Sequence, residues 1–177
     1  MYSEIRFCPT LHCECVRVSG WAAAVAAVRA CSLTALFRLP RQGLSPLAAV
    51  EAVQAAIDDS TAWANVMVCA LRSLPPSHSE DMARLAVDTG ACGFDIAGDE
   101  QLYPLSLHAE ALRLCRARDM PMSLHAGEWP GSLANVRTAI EAGVARIGHG
   151  IALAEDDELM AQVRWLSESG VTVDFRP

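Results

Sequence analysis

Residues able to carry chemistry gather where short apolar runs of this sequence end. Within residues 120–130, the run Met-Ser-Leu is followed by His125 and, past a glycine, by Glu128. A sheet would hold an imidazole at the end of a strand rigidly, and a carboxylate three residues later can turn back over it. This pair is typical of a metal ligand beside a proton donor. Taken alone, the stretch is explained equally well if His125 caps a strand and Glu128 opens a helix, whose N-terminal dipole favours a carboxylate.

Two further stretches repeat the pattern on either side. Residues 94–100 read Phe-Asp-Ile-Ala-Gly-Asp-Glu, and residues 146–150 read Arg-Ile-Gly-His-Gly. They add Asp95, Gly98 and His149 to the candidate site residues. Each has a structural alternative: Asp95 as a hydrogen-bonding group, Gly98 as a turn residue, and His149 as a satisfied core histidine. His78 and His108 fall in helical or loop stretches, and we expect both at the surface.

The elements that must position these residues recur at a nearly constant interval. Short buried strands are predicted at residues 66–71, 93–97, 122–124, 145–148 and 171–175, so successive strands begin about 25 residues apart. Helical patterns separate them, with Ser45 and Ser132 as N-cap candidates and Gly143 as a stop signal. A βα unit repeated at constant length predicts a parallel sheet with crossover helices. The titratable residues follow the carboxyl ends of the strands, where the active site of a (β/α)8 barrel is built.

The amino-terminal part of the chain departs from this repeat. Residues 3–7 alternate polar and apolar side chains before Cys8 and Pro9, which predicts another strand. The distance from that strand to residue 66 exceeds one βα unit by about 30 residues. Residues 14–43, rich in Ala and Val, mark the same surplus, so we interpret about 14–43 as an atypical insertion. The predicted fold is an incomplete TIM (β/α)8 barrel of about six parallel strands, forming one partial domain over residues 1–177.

Composition and charge limit the classes of partner. A chain of 177 residues with 52% hydrophobic residues can bury one core, and such an apolar chain favours a covering partner. The formal net charge of -7 disfavours nucleic acid and anionic membrane, since both attract basic surfaces. We therefore expect a small-molecule partner.

The seven cysteines are odd in number and lack the spacing of a disulfide framework. We interpret them as reduced core thiols of a cytoplasmic protein. The group His12-Cys13-Glu14-Cys15 lacks a second ligand pair at zinc-ribbon spacing, so its proximity is interpreted as accidental. The apolar stretch around Arg29 is too short on either side of that charge to predict a membrane span. The first residues lack the basic and apolar regions of a secretory signal.

Three motifs, in chain order, resemble those of the adenosine deaminase family of zinc-dependent barrel hydrolases. They are Ala-Gly-Asp-Glu at residues 97–100, His-Ala-Gly-Glu at 125–128 and Gly-His-Gly at 148–150. The resemblance covers residues 1 to about 13 and about 43 to 177. It implies a purine nucleoside as partner and hydrolysis of the C–N bond of a cyclic amidine, converting adenosine to inosine and ammonia by attack of zinc-bound hydroxide.

Carried over residue by residue, the resemblance implies specific roles. His125 would be a zinc ligand, Glu128 the acid that protonates a ring nitrogen of the purine, and His149 the group that orients or stabilises the attacking hydroxide. Gly98 would approach the purine through its backbone, with Asp95 beside it pointing into the barrel. The Cys-x-x-Cys of cytidine-deaminase zinc sites does not occur in this sequence.

The family's remaining zinc ligands are missing from this sequence. They are a His-x-His pair on the first strand and an aspartate on the eighth, and none of the other four histidines forms such a pair. Because a catalytic zinc takes about three protein ligands, we expect weak or absent zinc binding and almost no turnover by this chain alone.

The same comparison predicts a chain truncated at both ends, with its strands corresponding to the second to seventh of the barrel. Its open barrel edges would then favour self-association. Two other functions stay open: a non-catalytic purine-binding or interaction protein derived from a deaminase, and a deaminase of adenine, N6-methyl-AMP or AMP.

Overall fold

The computed structural model describes residues 14–16, 33–36, 45–59, 65–168 and 170–174. Strands alternate with helices through these residues. The strands are β1 (Glu14–Val16), β2 (Leu33–Leu36), β3 (Met67–Leu71), β4 (Gly93–Ala97), β5 (Ser123–Ala126), β6 (Arg146–His149) and β7 (Thr172–Asp174). The helices are α1 (Pro46–Asp58), α2 (Pro76–Asp88), α3 (Ala109–Ala117), α4 (Leu133–Ala142) and α5 (Asp157–Glu168). Two 3-10 turns, Leu105–His108 and Ile151–Glu155, precede α3 and α5.

Each of these strands pairs in parallel with its neighbour in sequence. One sheet has the order β1-β2-β3-β4 and a second the order β5-β6-β7. A parallel bridge between Phe94 and Met122 joins β4 to β5. Parallel neighbours need long crossover connections, and α2 to α5 supply them from β3 to β7. The α/β class and the parallel strand order predicted from the βα repeat are therefore confirmed.

The described residues contain seven strands, two of which are not among the about six predicted, and the count for the whole chain stays a prediction. β1 and β2 fall within residues 14–43, which we interpreted as an insertion. Their backbones pair with each other and then with β3, where Ala35 lies opposite Val68. An extended segment can satisfy its N–H and C=O groups on the edge of β3, and the interpretation of residues 14–43 as an insertion stays a prediction. The rest of residues 14–43 and the predicted strand at residues 3–7 lie outside the described residues.

Burial follows the position of each strand in the sheet. β4 is buried along its whole length, as expected of a parallel strand covered on both faces. Phe94, Ile96, Leu124 and Ile147 have no solvent exposure and form the centre of the core. Among the described residues, no helix is both long and apolar enough to cross a membrane.

The predicted helix boundaries are mostly confirmed. The backbone N–H of Ala48 donates to the Ser45 hydroxyl at 3.1 Å, so Ser45 caps α1. Gly143 ends α4 in the left-handed conformation, with φ of +81°. Ser132 precedes α4 as predicted, but its hydroxyl makes no capping bond and instead donates to the carbonyl of Trp129.

His108 is buried, which corrects its predicted surface position; it is 1% exposed. Its Nδ1 lies 2.8 Å from the Ser79 hydroxyl and its Nε2 lies 3.2 Å from the Arg72 carbonyl oxygen. These contacts satisfy both ring nitrogens, so the 3-10 turn can bury an imidazole against α2. His78 is half-buried.

Gly127, which follows β5, lies against the turn after β6. An added Cβ there would lie 2.8 Å from Val136 Cγ2 and 3.1 Å from Gly150 Cα, and its φ is +75°. Both the close approach and the left-handed backbone require glycine. The loops after β5 and β6 are thereby held together at van der Waals distance.

Replacing Gly127 by alanine should destabilise the fold through two effects. The left-handed conformation costs about 1–2 kcal/mol for an L-residue, and the clash with Val136 and Gly150 adds about 1–3 kcal/mol. Gly131→Ala is the matched control, because Gly131 has φ of +79° with nothing within 4 Å of an added Cβ. Urea unfolding of both variants measures the difference, and equal losses would contradict the close packing.

Buried His108 should make the free energy of unfolding fall in mild acid. Burial lowers the pKa of His108 from its usual 6.5 and the positive charges of Arg72 and His78 lower it further, although the hydrogen bond to the Arg72 carbonyl raises it. As the pH falls, His108 is therefore protonated in the unfolded chain at a higher pH than in the folded chain. The free energy of unfolding that His108 contributes above about pH 6.5 is lost as the pH falls toward the folded-state pKa.

Urea unfolding at pH 7.5 and pH 5.5, compared with His108→Gln, isolates this contribution. The parent should lose more stability than the variant between the two pH values. An identical loss in both would show that His108 is not the group responsible.

Candidate active site

Asp95 and His125 form a hydrogen-bonded pair across β4 and β5. The imidazole Nδ1 lies 2.8 Å from Oδ2 and 3.0 Å from Oδ1 of Asp95. The backbone N–H of His125 also donates to Oδ1, at 3.3 Å. The Asp95 side chain is 2% exposed and that of His125 is 22% exposed. A carboxylate on Nδ1 fixes the ring orientation and leaves Nε2 as the nitrogen able to bind a metal.

Opposing influences act on the pKa of His125. Burial, the largest, lowers it, and the positive charges of Arg146 and Arg72 also lower it. The negative charge of Asp95 and the hydrogen bond to it raise it, and the net result is a raised pKa. The carboxylate therefore increases the basicity of this imidazole, which strengthens it as a ligand.

Glu128 and His149 face each other beside this pair. His149 Nε2 lies 3.9 Å from Glu128 Oε2, and the rings of His125 and His149 have centroids 5.3 Å apart. Glu128 is the more open of the two, with 37% of its side chain exposed against 18% for His149. His149 has φ of +74°, a conformation that few residues other than glycine adopt.

Glu100 holds the backbone of the loop that carries Glu128. Its carboxylate accepts from the N–H of Gly127 at 3.0 Å, of Glu128 at 2.6 Å and of Trp129 at 3.3 Å. Glu100 is 3% exposed. Three backbone donors converging on one buried carboxylate fix the path of the loop.

Arg72 supplies the positive charge beside these carboxylates. It follows β3 directly and is 1% exposed, and its Nη1 lies 3.9 Å from Glu100 Oε2. Its Nη2 donates to the carbonyls of Ile96 and His125, and its Nη1 to that of Tyr103. Burial lowers the pKa of Arg72, and the charges of Glu100 and Asp95 oppose this effect. Arg72 thus links the ends of β3, β4 and β5.

Gly98, which follows β4, packs against Arg72. Its φ is +122°, and an added Cβ would lie 3.1 Å from Arg72 Cγ. The backbone conformation and this neighbour both favour glycine. Its expected approach to a purine stays a prediction.

The described residues do not form a complete metal site. No group of three or more His, Cys, Asp or Glu side chains able to hold a metal occurs among them. His125 has the arrangement of a ligand, with its second nitrogen held by Asp95, but a single imidazole is too few for a catalytic zinc. The donor set of the described residues therefore does not fit zinc by itself.

The structure brings four of the five predicted site residues together: Asp95, His125, Glu128 and His149 contact or face one another. The fifth, Gly98, lies beside Arg72. β5 ends at Ala126, so His125 lies within the strand rather than at its end. The roles expected of these residues stay predictions.

Arg72 and Glu100 were missed as functional residues, although the sequence holds a signal for both. Arg72 ends an apolar strand, as the other candidates do, and Glu100 closes the Ala-Gly-Asp-Glu motif. Neither position reveals by itself which backbone groups the side chain will bind.

Comparison with known proteins shows which family this sequence resembles along its length. The adenosine deaminase family model matches residues 1–175. An adenosine deaminase of Enterococcus faecalis is 31% identical over 179 residues, covering 99% of this chain and 45% of the relative. One of Mycolicibacterium gilvum is 33% identical over 175 residues, covering 92% of this chain and 40% of the relative.

Solved structures share the fold. An amidohydrolase from Burkholderia ambifaria with bound Zn superposes with a TM-score of 0.73 at 21% identity, covering 86% of this chain and 46% of its own. An adenine deaminase from Arthrobacter aurescens gives a TM-score of 0.63 at 19% identity, covering 80% and 45%. An Arabidopsis N6-mAMP deaminase gives 0.65 at 17% identity, covering 75% and 47%.

The chain spans less than half the length of these relatives. Over that span, the match to the family model takes in nearly the whole sequence, including all three motifs. The chain belongs to the adenosine deaminase family.

Proposed function

We propose that this chain provides the proton-donating and orienting part of a purine deaminase site, with adenosine as substrate. The observation that carries the proposal is the grouping of four side chains in a member of this family: Asp95 and His125 within β4 and β5, Glu128 in the loop after β5, and His149 at the end of β6. The reaction is hydrolysis: adenosine and water give inosine and ammonia.

The geometry suggests a division of labour between these residues. Water attacks the amino-bearing ring carbon, forming a C–O bond, and the C–N bond to the amino group breaks as ammonia leaves. Glu128, the more exposed carboxylate, protonates the neighbouring ring nitrogen. His149, 3.9 Å from it, orients the attacking oxygen. Gly98 offers backbone without a side chain to the purine, and Asp95 keeps His125 fixed.

His125 is the one member of the family's zinc set that this sequence supplies. In the family, zinc activates the attacking water. Because one imidazole does not retain zinc against water, the chain alone is expected to be inactive.

The inactivity can be tested on the purified chain. With added zinc and adenosine, ammonia release should not exceed that of zinc alone, and metal analysis after gel filtration should find well below one equivalent, since about three protein ligands are needed. One equivalent of zinc with turnover would refute this part of the proposal. Such turnover would mean that other residues complete the metal site. Its loss in Glu128→Gln would then support Glu128 as the acid.

The deaminase chemistry can be tested in a chimera. This chain replaces the aligned segment of the Enterococcus faecalis relative, which is 45% of that protein, so that the relative supplies the rest of its own length. We expect adenosine deamination that Glu128→Gln lowers by about 10²–10⁴-fold, the range for loss of a general acid.

Glu141→Gln is the matched control, because Glu141 is an exposed carboxylate on α4. It should leave the rate unchanged. A folded, zinc-loaded chimera without turnover, or one indifferent to Glu128→Gln, would contradict the proposal.

Two alternatives are favoured by specific observations. The single imidazole supports a non-catalytic purine-binding protein. In that case the purified chain should bind a purine nucleoside without converting it. The fold shared with proteins named adenine deaminase and N6-mAMP deaminase supports other purine substrates. Assaying adenine, AMP and N6-methyl-AMP beside adenosine distinguishes them.

A further inference from the structure

We infer that Arg72 and Glu100 are positioning residues that set the location of Glu128 relative to His149. That Glu128 acts as a catalytic acid rests on the function proposed above. The contacts that fix its location are observed independently of that function. The two side chains hold the backbone on both sides of Glu128.

Glu100 determines the path of the loop after β5. Its two carboxylate oxygens take up the N–H groups of three successive residues, 127 to 129, at 2.6–3.3 Å. Successive N–H groups that point to one side form an anion-binding concavity. Here a side chain 27 to 29 residues away in sequence fills it. Because the middle donor is the N–H of Glu128 itself, moving Glu100 must move Glu128.

Arg72 fixes the same loop from its other end. Its Nη2 donates to the carbonyl of His125, two residues before the first donor to Glu100. Its Nη1 lies 3.9 Å from the Glu100 carboxylate, and both side chains are almost completely buried. The guanidinium thus balances the buried negative charge and ties it to the ends of β4 and β5.

The neighbouring carboxylate shows that the arrangement is specific to Glu100. Asp99 is exposed, and within the part of the chain that the structure describes its side chain accepts from the N–H groups of Gln101 and Leu102, in its own loop. Asp99 therefore already satisfies the backbone N–H groups of the turn that follows β4. Glu100 reaches instead across to the loop that carries the proposed acid.

Backbone and imidazole NMR of the full chain tests this inference. In Glu100→Gln, one amide oxygen replaces two carboxylate oxygens. We expect the amide proton signals of Gly127, Glu128 and Trp129 to move upfield and their hydrogen exchange to accelerate by about tenfold or more. The ring signals of His149 should shift as well, because Glu128 moves relative to that imidazole.

Asp99→Asn is the matched control, since it removes the adjacent carboxylate. It should alter the amides of Gln101 and Leu102 and leave those of 127–129 and the His149 ring at their parental values. If Glu100→Gln fails to fold because Arg72 is left buried without its partner, the double variant Arg72→Met/Glu100→Gln removes both charges. It should fold and show the same local loss at residues 127–129.

Two results would overturn the inference. One is parental amide signals and exchange at 127–129 when Glu100 is replaced. The other is acceleration spread evenly over β3, β4 and α2, which would indicate a general structural role. Neither measurement requires turnover, so failure here leaves the deaminase proposal standing, and an inactive chimera leaves this inference standing.

Discussion

The parallel pairing of β4, β5 and β6 is the constraint on which the candidate site depends. Neighbouring strands lie about 4.8 Å apart, and equal orientation places their carboxyl ends at one edge. Asp95, His125 and His149 are therefore neighbours although 30 and 24 residues separate each from the next along the chain. Each crossover helix brings the chain back to begin the next strand at the opposite edge.

Several charged side chains are buried at this edge of the sheet, and hydrogen bonds and opposite charges offset the cost of their burial. An isolated buried ion costs several kcal/mol, so a carboxylate there needs donors on most of its lone pairs. Asp95 finds them in one imidazole and its backbone N–H, and Glu100 in three backbone N–H groups. The positive charge of Arg72 interacts with the negative charges of both carboxylates. The site is thus a connected set of opposite charges rather than separate pairs.

Much of this arrangement could be predicted from the sequence, because strand spacing and strand-end residues are local signals. The parallel order, the limits of β4 and the grouping of Asp95, His125, Glu128 and His149 all followed from them. The contacts of Glu100 and the burial of His108 did not follow, since both depend on partners distant in sequence: Gly127 for one, Ser79 for the other. No local pattern encodes which backbone N–H a buried carboxylate will meet.

The strands β1 and β2 illustrate a second limit. Their sequences lie in an Ala- and Val-rich stretch, residues 14–43, that we interpreted from its composition and spacing as an insertion. The pairing of β2 with β3 depends on the unpaired backbone groups that β3 offers along that edge. Composition can mark such a stretch as unusual without determining the structure that it adopts.

The backbone of His149 has a consequence for how this protein can change. A φ of +74° costs about 1–2 kcal/mol for a residue other than glycine or asparagine. At this position, selection for thermal stability alone would therefore favour glycine or asparagine and remove the imidazole. Under the role proposed for His149, stability and chemistry oppose each other at a single residue, so a lineage released from catalysis would be expected to gain stability by losing His149 early.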